Sequence, residues 1–282
     1  MKEARFYQKL KDDKVRCNLC HHKCIISQGK RGICHARENN NGVLYSLVYG
    51  KLIACHVDPI EKKPLFHFFP GSKAYSIATL GCNFHCLHCQ NWSISQITHK
   101  IVGKEFTPED IIQNAITNRC QSIAYTYTEP TIFFEFAYET AKVAHKKGLK
   151  NLFITNGYIS TEALEEISPY IDAANIDLKS MNNTFYREVC GAKLQPILDN
   201  IKLYYELGIW IEVTTLIIPG HNDDPEELKK TAEFIRNIDA TIPWHVTGFH
   251  PTYKLNDIPP TPVETLRKAV EIGRKAGLEY VY

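Results

Sequence analysis

Three absences bound the chain before any motif is read. No run of 18 apolar residues occurs among its 282 residues, which argues against a helix that crosses a bilayer. The opening Met1-Lys2-Glu3-Ala4-Arg5 leads into a charged segment without an apolar centre, so no secretory leader is expected. Neither sign of charge is in excess: 33 Lys and Arg stand against 31 Asp and Glu, a formal net charge of +2. That balance does not favour nucleic-acid or anionic-membrane partners. The 44% hydrophobic content is enough for a sizeable core, either one large α/β domain or a large domain with a small appendage.

Cysteine is what the chain has in quantity. Seven of its ten fall in two tight groups, Cys17/Cys20/Cys24/Cys34 and Cys82/Cys86/Cys89. Without a secretory leader such grouping reads as metal binding, not as a disulfide framework, and the expected compartment is the reducing cytoplasm. Cys55, Cys120 and Cys190 stand alone and are expected to be small buried or partly buried side chains. The second group has the spacing C-x3-C-x2-C, and no fourth cysteine follows closely. Iron–sulfur clusters normally take four thiolates, so three leave one iron of a [4Fe–4S] cluster open to a small molecule. A zinc ion would want a fourth donor, which His85 or His88 could supply. Cys17, Cys20, Cys24 and Cys34 lie within 18 residues. They can enclose a structural zinc or a second iron–sulfur cluster, or remain reduced thiols in a small loop domain.

The first 70 residues differ from the rest. They carry the first cysteine group, the turn Asn39-Asn40-Asn41-Gly42, an expected hairpin over Val43–Val57 turning at Gly50-Lys51, and a proline-bounded connection, Asp58 to Pro64. From Lys73 onward strands and helices alternate. Expected strands are Ala74–Leu80, Ser122–Thr126, Asn151–Thr155, Ala173–Asp177, Trp210–Ile218, Trp244–Phe249 and Leu278–Tyr282. Expected helices are Pro108–Asn118, Thr131–Lys147, Thr161–Ile167, Leu194–Leu207, Pro225–Ile238 and Pro262–Ala276. Thr107-Pro108-Glu109-Asp110 and Asp224-Pro225-Glu226-Glu227 are helix starts: a capping oxygen, a proline, then acids. The alternation implies a parallel sheet joined by right-handed crossovers, which alternation alone leaves as an open doubly wound sheet or a barrel.

The cysteine spacing, set just after the first of these strands, resembles the cluster-binding signature of the radical SAM superfamily. End to end, the chain is similar to the radical SAM enzyme of the AmmeMemoRadiSam system, a group like pyruvate formate-lyase activating enzymes. The segments that carry this are Cys17–Arg37, Asp58–His67, Gly81–Asn91, Tyr125–Pro130, Asp177-Leu178-Lys179 and Trp244–Tyr253. The resemblance implies a partial (β/α)6 TIM-like barrel over 71–282, with a small Cys-rich extension at 1–70 and the active site at the C-terminal strand ends. It implies a [4Fe–4S] cluster on Cys82, Cys86 and Cys89, with S-adenosylmethionine chelating the open iron. His88 takes a place near the adenine. Tyr127-Thr128-Glu129-Pro130 stands where the superfamily has Gly-Gly-Glu-Pro around the methionyl ammonium, so Thr128 and Glu129 join the cofactor set. Asn156, Asp177, Lys179 and His250 match active-site positions of the activating enzymes, while His245, at the other end of its strand, reads as structural. Thr214 stands near the place of an arginine in that group.

The leading function is therefore an enzyme. Reductive cleavage of S-adenosylmethionine gives a 5′-deoxyadenosyl radical, which takes hydrogen from a substrate of glycyl-radical-protein or other type. No residue is assigned to the hydrogen transfer itself. A low-potential donor such as ferredoxin or flavodoxin, and Memo-type or AMMECR-type proteins, are the implied partners. The alternative is a non-enzymatic iron–sulfur or zinc protein in electron transfer or assembly.

Overall fold

The computed structural model describes residues 1–96 and 100–282. Six short strands come first: β1 (Lys2–Glu3), β2 (Tyr7–Lys9), β3 (Val15–Cys17), β4 (Ile25–Ile26), β5 (Arg37–Asn40) and β6 (Val43–Ser46). They form two small antiparallel sheets, in the orders β1-β6-β5 and β2-β3-β4. Then follow β7 (Lys51–Pro59), β8 (Lys73–Thr79), β9 (Lys104–Glu105), β10 (Ser122–Tyr125), β11 (Lys150–Thr155), β12 (Ala173–Asp177), β13 (Trp210–Ile217) and β14 (Trp244–Gly248). These eight make one mixed sheet in the order β14-β13-β12-β11-β10-β8-β7-β9. From β8 to β14 every pairing is parallel, whereas β7 runs antiparallel to both β8 and β9.

The helices are α1 (Trp92–Ser95), α2 (Pro108–Thr117), α3 (Phe134–Lys146), α4 (Thr161–Ile167), α5 (Asn183–Phe185), α6 (Gln195–Glu206), α7 (Pro225–Ile238) and α8 (Val263–Lys275). The two expected helix starts cap as their sequences dictate. Asp110 N donates to Thr107 Oγ1 at 3.1 Å and Glu227 N to Asp224 Oδ2 at 3.0 Å, each satisfying a first-turn amide that has no partner inside the helix. β10 and β12 are apolar and buried along most of their length, as parallel strands covered on both faces must be.

Three expectations change. Val43–Val57 is not a hairpin: β6 pairs with β1 and β5, and β7 leaves to join the central sheet. The tight hairpin lies one strand earlier, where Asn41 (φ 53°) and Gly42 (φ 73°) turn β5 into β6; two successive positive φ values suit the right-handed twist of the strands. The larger hydrophobic cluster includes residues from Ala4 to Val281. The helix expected from Thr131 begins as a 3-10 turn over Pro130–Phe133 and becomes α-helical at Phe134. Leu278–Tyr282 reaches β14 only at its end: Leu278 and Glu279 bond back to Gly273 and Ala240, leaving a single bridge at Val281.

The small N-terminal sheets dock beside the C-terminal end of β11. Ser160 N donates to Leu19 O at 2.9 Å and His21 N to Tyr158 O at 3.2 Å. Arg37 and Glu135, both 1% exposed, pair between β5 and α3, with Arg37 Nη2 donating to both carboxylate oxygens at 2.8 and 2.7 Å. Among the described residues no helix is long and apolar enough to cross a membrane.

Candidate active site

Parallel strands place their following loops on one side of the sheet, and the candidate residues sit on those loops. Cys82, Cys86 and Cys89 follow β8 in a loop held at several points. Phe84 N donates to Cys82 Sγ at 3.4 Å, Cys89 N to Cys86 O at 3.2 Å, and Cys89 Sγ and Ser95 Oγ lie 3.1 Å apart. The far end of the sheet reaches this loop. Lys254 N, beyond β14, donates to Leu87 O at 3.0 Å, and Tyr253 stacks on Trp92 with ring centroids 5.4 Å apart. His88 is 4% exposed, and its Nδ1 has no partner among the described residues. Burial, with Lys179 and His221 nearby, pulls His88 down to about 3, so its ring is neutral.

Thr128 and Glu129 follow β10. Tyr127 takes φ 62°, the left-handed path that a glycine adopts without cost and that charges other residues about 1–2 kcal/mol. The tyrosine is fastened there. Its hydroxyl donates to Asp58, Lys63 Nζ lies 4.4 Å from its ring centre, and Asn91 Nδ2 donates to its carbonyl at 2.7 Å. Asp58 in turn holds Lys63 Nζ at 2.7 Å and Lys62 Nζ at 2.8 Å. Burial works against charge on Asp58, but Lys62, Lys63 and Tyr127 outweigh it and hold the carboxyl well below its usual range. The run from Asp58, which reads as a connection in sequence, is thus the clamp that keeps a glycine-like turn in a chain without the glycine. Thr128 Oγ1 donates to Thr79 O at 2.9 Å.

Glu129 is 1% exposed and saturated by its own chain. It accepts from Thr131 N (3.0 Å), Thr131 Oγ1 (2.6 Å), Thr155 Oγ1 (2.8 Å) and Asn156 N (2.8 Å). This geometry makes it a positioning residue that ties the ends of β10 and β11 together. Asn156 stands beside the cysteine loop: its Nδ2 donates to Asn83 Oδ1 at 2.8 Å and lies 4.0 Å from Cys82 Sγ.

Asp177 and Lys179, at the end of β12, pair at 2.8 Å. Burial opposes the ammonium, but Asp177 and the thiols of Cys86 and Cys190 raise Lys179 well above its usual value. Asn222, from the loop after β13, fixes this turn by donating to Lys179 O at 2.6 Å.

Cys190, which sequence alone leaves as an isolated core residue, belongs to the same site. It ends a single π-helical turn, Tyr186–Cys190, and Gly191 reverses the chain at φ 72°; such turns recur at functional sites. His85 N donates to Cys190 O and Leu87 N to Val189 O, each at 2.9 Å, so this backbone flanks Cys86 on both sides. The two thiols are hydrogen-bonded: Cys190 lowers Cys86, and Cys86 together with burial raises Cys190 well above its usual value. Burial likewise raises Cys82 and Cys89, so of these four cysteines only Cys86 is drawn toward the thiolate form by its own chain.

His250 lies beyond β14 as expected but is exposed. His245, at the other end of the strand, is buried and 2.7 Å from Glu212 Oε2, a structural pair. Thr214 Oγ1 donates to Asn175 Oδ1 at 2.9 Å.

Cys17, Cys20, Cys24 and Cys34 line one cavity, and all are free thiols. Burial pushes Cys34 up to about 11 and raises Cys17 and Cys20 as well. The buried donors Arg37 Nε and Asn83 Nδ2, on residues that also line the cavity, have no hydrogen-bond partner among the described residues.

Residues 76–235 match the family model described as the Radical SAM superfamily. An uncharacterized protein of Methanocaldococcus jannaschii is 51% identical over 284 residues, covering 100% of this chain and 84% of its own length. The pyruvate formate-lyase 1-activating enzyme of Escherichia coli is 24% identical over 224 residues, covering 72% of this chain and 89% of its own. A solved radical SAM methyltransferase from Sphaerobacter thermophilus superposes with a TM-score of 0.60 at 13% identity, over 76% of this chain and 67% of that one, a likeness of fold.

Proposed function

The chain belongs to the radical SAM superfamily, and from that premise we propose that it is an enzyme of the activating type, built as a partial (β/α)6 barrel. It would bind a [4Fe–4S] cluster through Cys82, Cys86 and Cys89, with S-adenosylmethionine on the remaining iron. One observation carries this reading: Cys82, Cys86 and Cys89 share one loop at the end of β8, bordered by Tyr127, Asn156 and Lys179 from the ends of β10, β11 and β12. Contact between the loops after β8 and β14 supports a sheet curved enough to bring its first and last parallel strands to a common mouth.

The donor set fits the cluster. A backbone amide reaches Cys82, and the Ser95 hydroxyl and the Cys190 thiol lie against Cys89 and Cys86; hydrogen bonds to sulfur help set a cluster's potential. When bound, the cluster supplies the one low-potential electron that cleaves the cofactor to methionine and a 5′-deoxyadenosyl radical. This chain's residues bind, orient and exclude water. Thr128 and the carbonyls of the fastened Tyr127 turn would receive the methionyl ammonium, with Glu129 holding that turn in place. Lys179 supplies a fixed positive charge near Cys86, and Asp177 orients it. Asn156 borders Cys82, and the neutral His88 lines the loop where the adenine would lie. His250, at the mouth, would face the substrate.

Kinship with activating enzymes supports a protein substrate of the glycyl-radical kind. The Asp58–His67 run supports membership of the AmmeMemoRadiSam group, with Memo-type or AMMECR-type partners and a ferredoxin or flavodoxin donor in the cytoplasm. The test is anaerobic: reconstitute with iron and sulfide, add dithionite and S-adenosylmethionine, and assay 5′-deoxyadenosine. Formation of 5′-deoxyadenosine is the expected result. A protein with an intact [4Fe–4S] spectrum that releases none would overturn the proposal.

A further inference from the structure

The four N-terminal cysteines share a cavity whose features distinguish between the metals they could hold. The void among them measures about 20 Å³, enough to seat a water molecule. Four thiolates on one zinc stand about 2.3 Å from it and leave no such void. Among the described residues, no group of three or more Cys, His, Asp and Glu side chains is arranged to hold a single metal ion. Gly32 keeps the wall thin, since a Cβ there would come within 3.8 Å of Cys24 Sγ and 3.2 Å of Ile26.

Two orphaned donors are the second, independent sign. Arg37 and Asn83 are each 1% exposed and line the cavity, and Arg37 Nε and Asn83 Nδ2 have no acceptor among the described residues. An unmade buried hydrogen bond costs about 1–3 kcal/mol. A zinc ion adds no acceptor for these N–H groups beyond the four thiolates themselves. The inorganic sulfides of an iron–sulfur cluster do accept, and the Arg37 guanidinium suits a centre that carries negative charge.

The cavity also abuts the catalytic loop. Asn83 directly follows Cys82, its carbonyl lies 2.7 Å from His22 Nε2, and its Oδ1 accepts from Asn156. A Cβ on Gly81 would meet Cys34 O at 2.7 Å, so the residue before Cys82 packs directly on the N-terminal group. We propose that Cys17, Cys20, Cys24 and Cys34 hold a second, fully protein-ligated [4Fe–4S] cluster, separated from the catalytic one by the wall that Gly81 and Asn83 form. An electron from a one-electron flavin or iron–sulfur carrier would reduce this cluster, and its reoxidation would reduce the catalytic cluster. The relay rests on the function proposed above; the cluster itself does not.

The experiment loads full-length C82A/C86A/C89A protein anaerobically with ferrous iron and sulfide, with zinc offered in a parallel sample. The expected result is half the iron and half the acid-labile sulfide of the unsubstituted protein, with a [4Fe–4S] absorption and EPR signature. One zinc and no sulfide, or a folded protein that holds no metal, would overturn the proposal. Should the triple variant fail to fold, the unsubstituted protein decides: two clusters per chain support the proposal and one overturns it. When both clusters are reduced, their EPR signals should broaden by mutual spin coupling, and independent signals would refute the shared wall. Absence of 5′-deoxyadenosine alongside two clusters would count against the catalytic reading and not against this one.

Discussion

Cys82, Cys86 and Cys89 hang from the end of β8, beside loops that follow β10, β11, β12 and β14. Cys17, Cys20, Cys24 and Cys34 face one another across a cavity that their own short loops nearly close. On the proposed reading the first site leaves a corner for a second molecule. Its neighbours include the charged Lys179, the left-handed Tyr127 and the buried thiol of Cys190. The second site has its full complement of thiols, and what it lacks is only an acceptor for two donors. Open chemistry needs support from across the fold, whereas a closed centre needs little beyond its own loop and the face on which it docks.

That contrast can be broken most sharply at the cysteines. Replacing any one of Cys82, Cys86 or Cys89 by Ala should abolish 5′-deoxyadenosine formation while leaving the N-terminal iron in place, measured by iron content and product assay on the same sample. Loss of all iron would mean that the two centres are one cooperative unit. Next in size is the clamp under the open site. Asp58→Asn leaves Lys63, whose side chain is 2% exposed, without its counter-charge, and breaking such a buried pair costs about 3–5 kcal/mol. Denaturant unfolding should report that loss, and a change below about 1 kcal/mol would show the pair to be no more than a surface bridge.

Glu129→Gln exchanges one acceptor oxygen for a donor amide against four donor hydrogens. A cost of about 1–3 kcal/mol is expected, together with a raised KM for S-adenosylmethionine; unchanged KM would remove Glu129 from cofactor positioning. Acid should act on the same clamp. The carboxyl of Asp58 is held below its usual range, so its contribution to stability is present above the ordinary carboxylate pKa of about 3.9 and is lost as pH falls below it. In D58N the fall in stability over that interval should be shallower, and an identical acid profile would exclude Asp58 as its source. The smallest effect belongs to Tyr127→Phe, which deletes one hydroxyl bond and keeps the ring under Lys63, at about 1 kcal/mol.

Much of the scaffold was legible because its signals are local. Six parallel strands and their crossover helices follow from apolar runs, proline starts and capping oxygens, and each observed strand begins or ends within a residue or two of its expected place. The cysteine groups were legible because spacing alone specifies them. Other features depend on contacts between residues far apart in sequence, which periodicity does not encode. Val43–Val57 alternates like a hairpin, yet β7 pairs with β8 and β9 while β6 pairs with β1 and β5. Cys190 looked isolated because its partner lies about a hundred residues away in the chain. Tyr127 hid the glycine-like turn that it adopts, since nothing local announces that Asp58 and Lys63 wait beneath it. The left-handed Gly191 just after Cys190 was the one local hint available for that part of the site.

The central claim is that an iron left open by three thiolates takes S-adenosylmethionine as its ligand. Electron–nuclear double resonance on the reduced protein, with the cofactor labelled at the methionyl nitrogen, tests it directly, and reading it in C17S/C20S/C24S/C34S protein removes any signal from the N-terminal centre. The account predicts a hyperfine coupling between that nitrogen and the cluster at Cys82, Cys86 and Cys89. A reduced [4Fe–4S] cluster with the cofactor bound and no such coupling would contradict it.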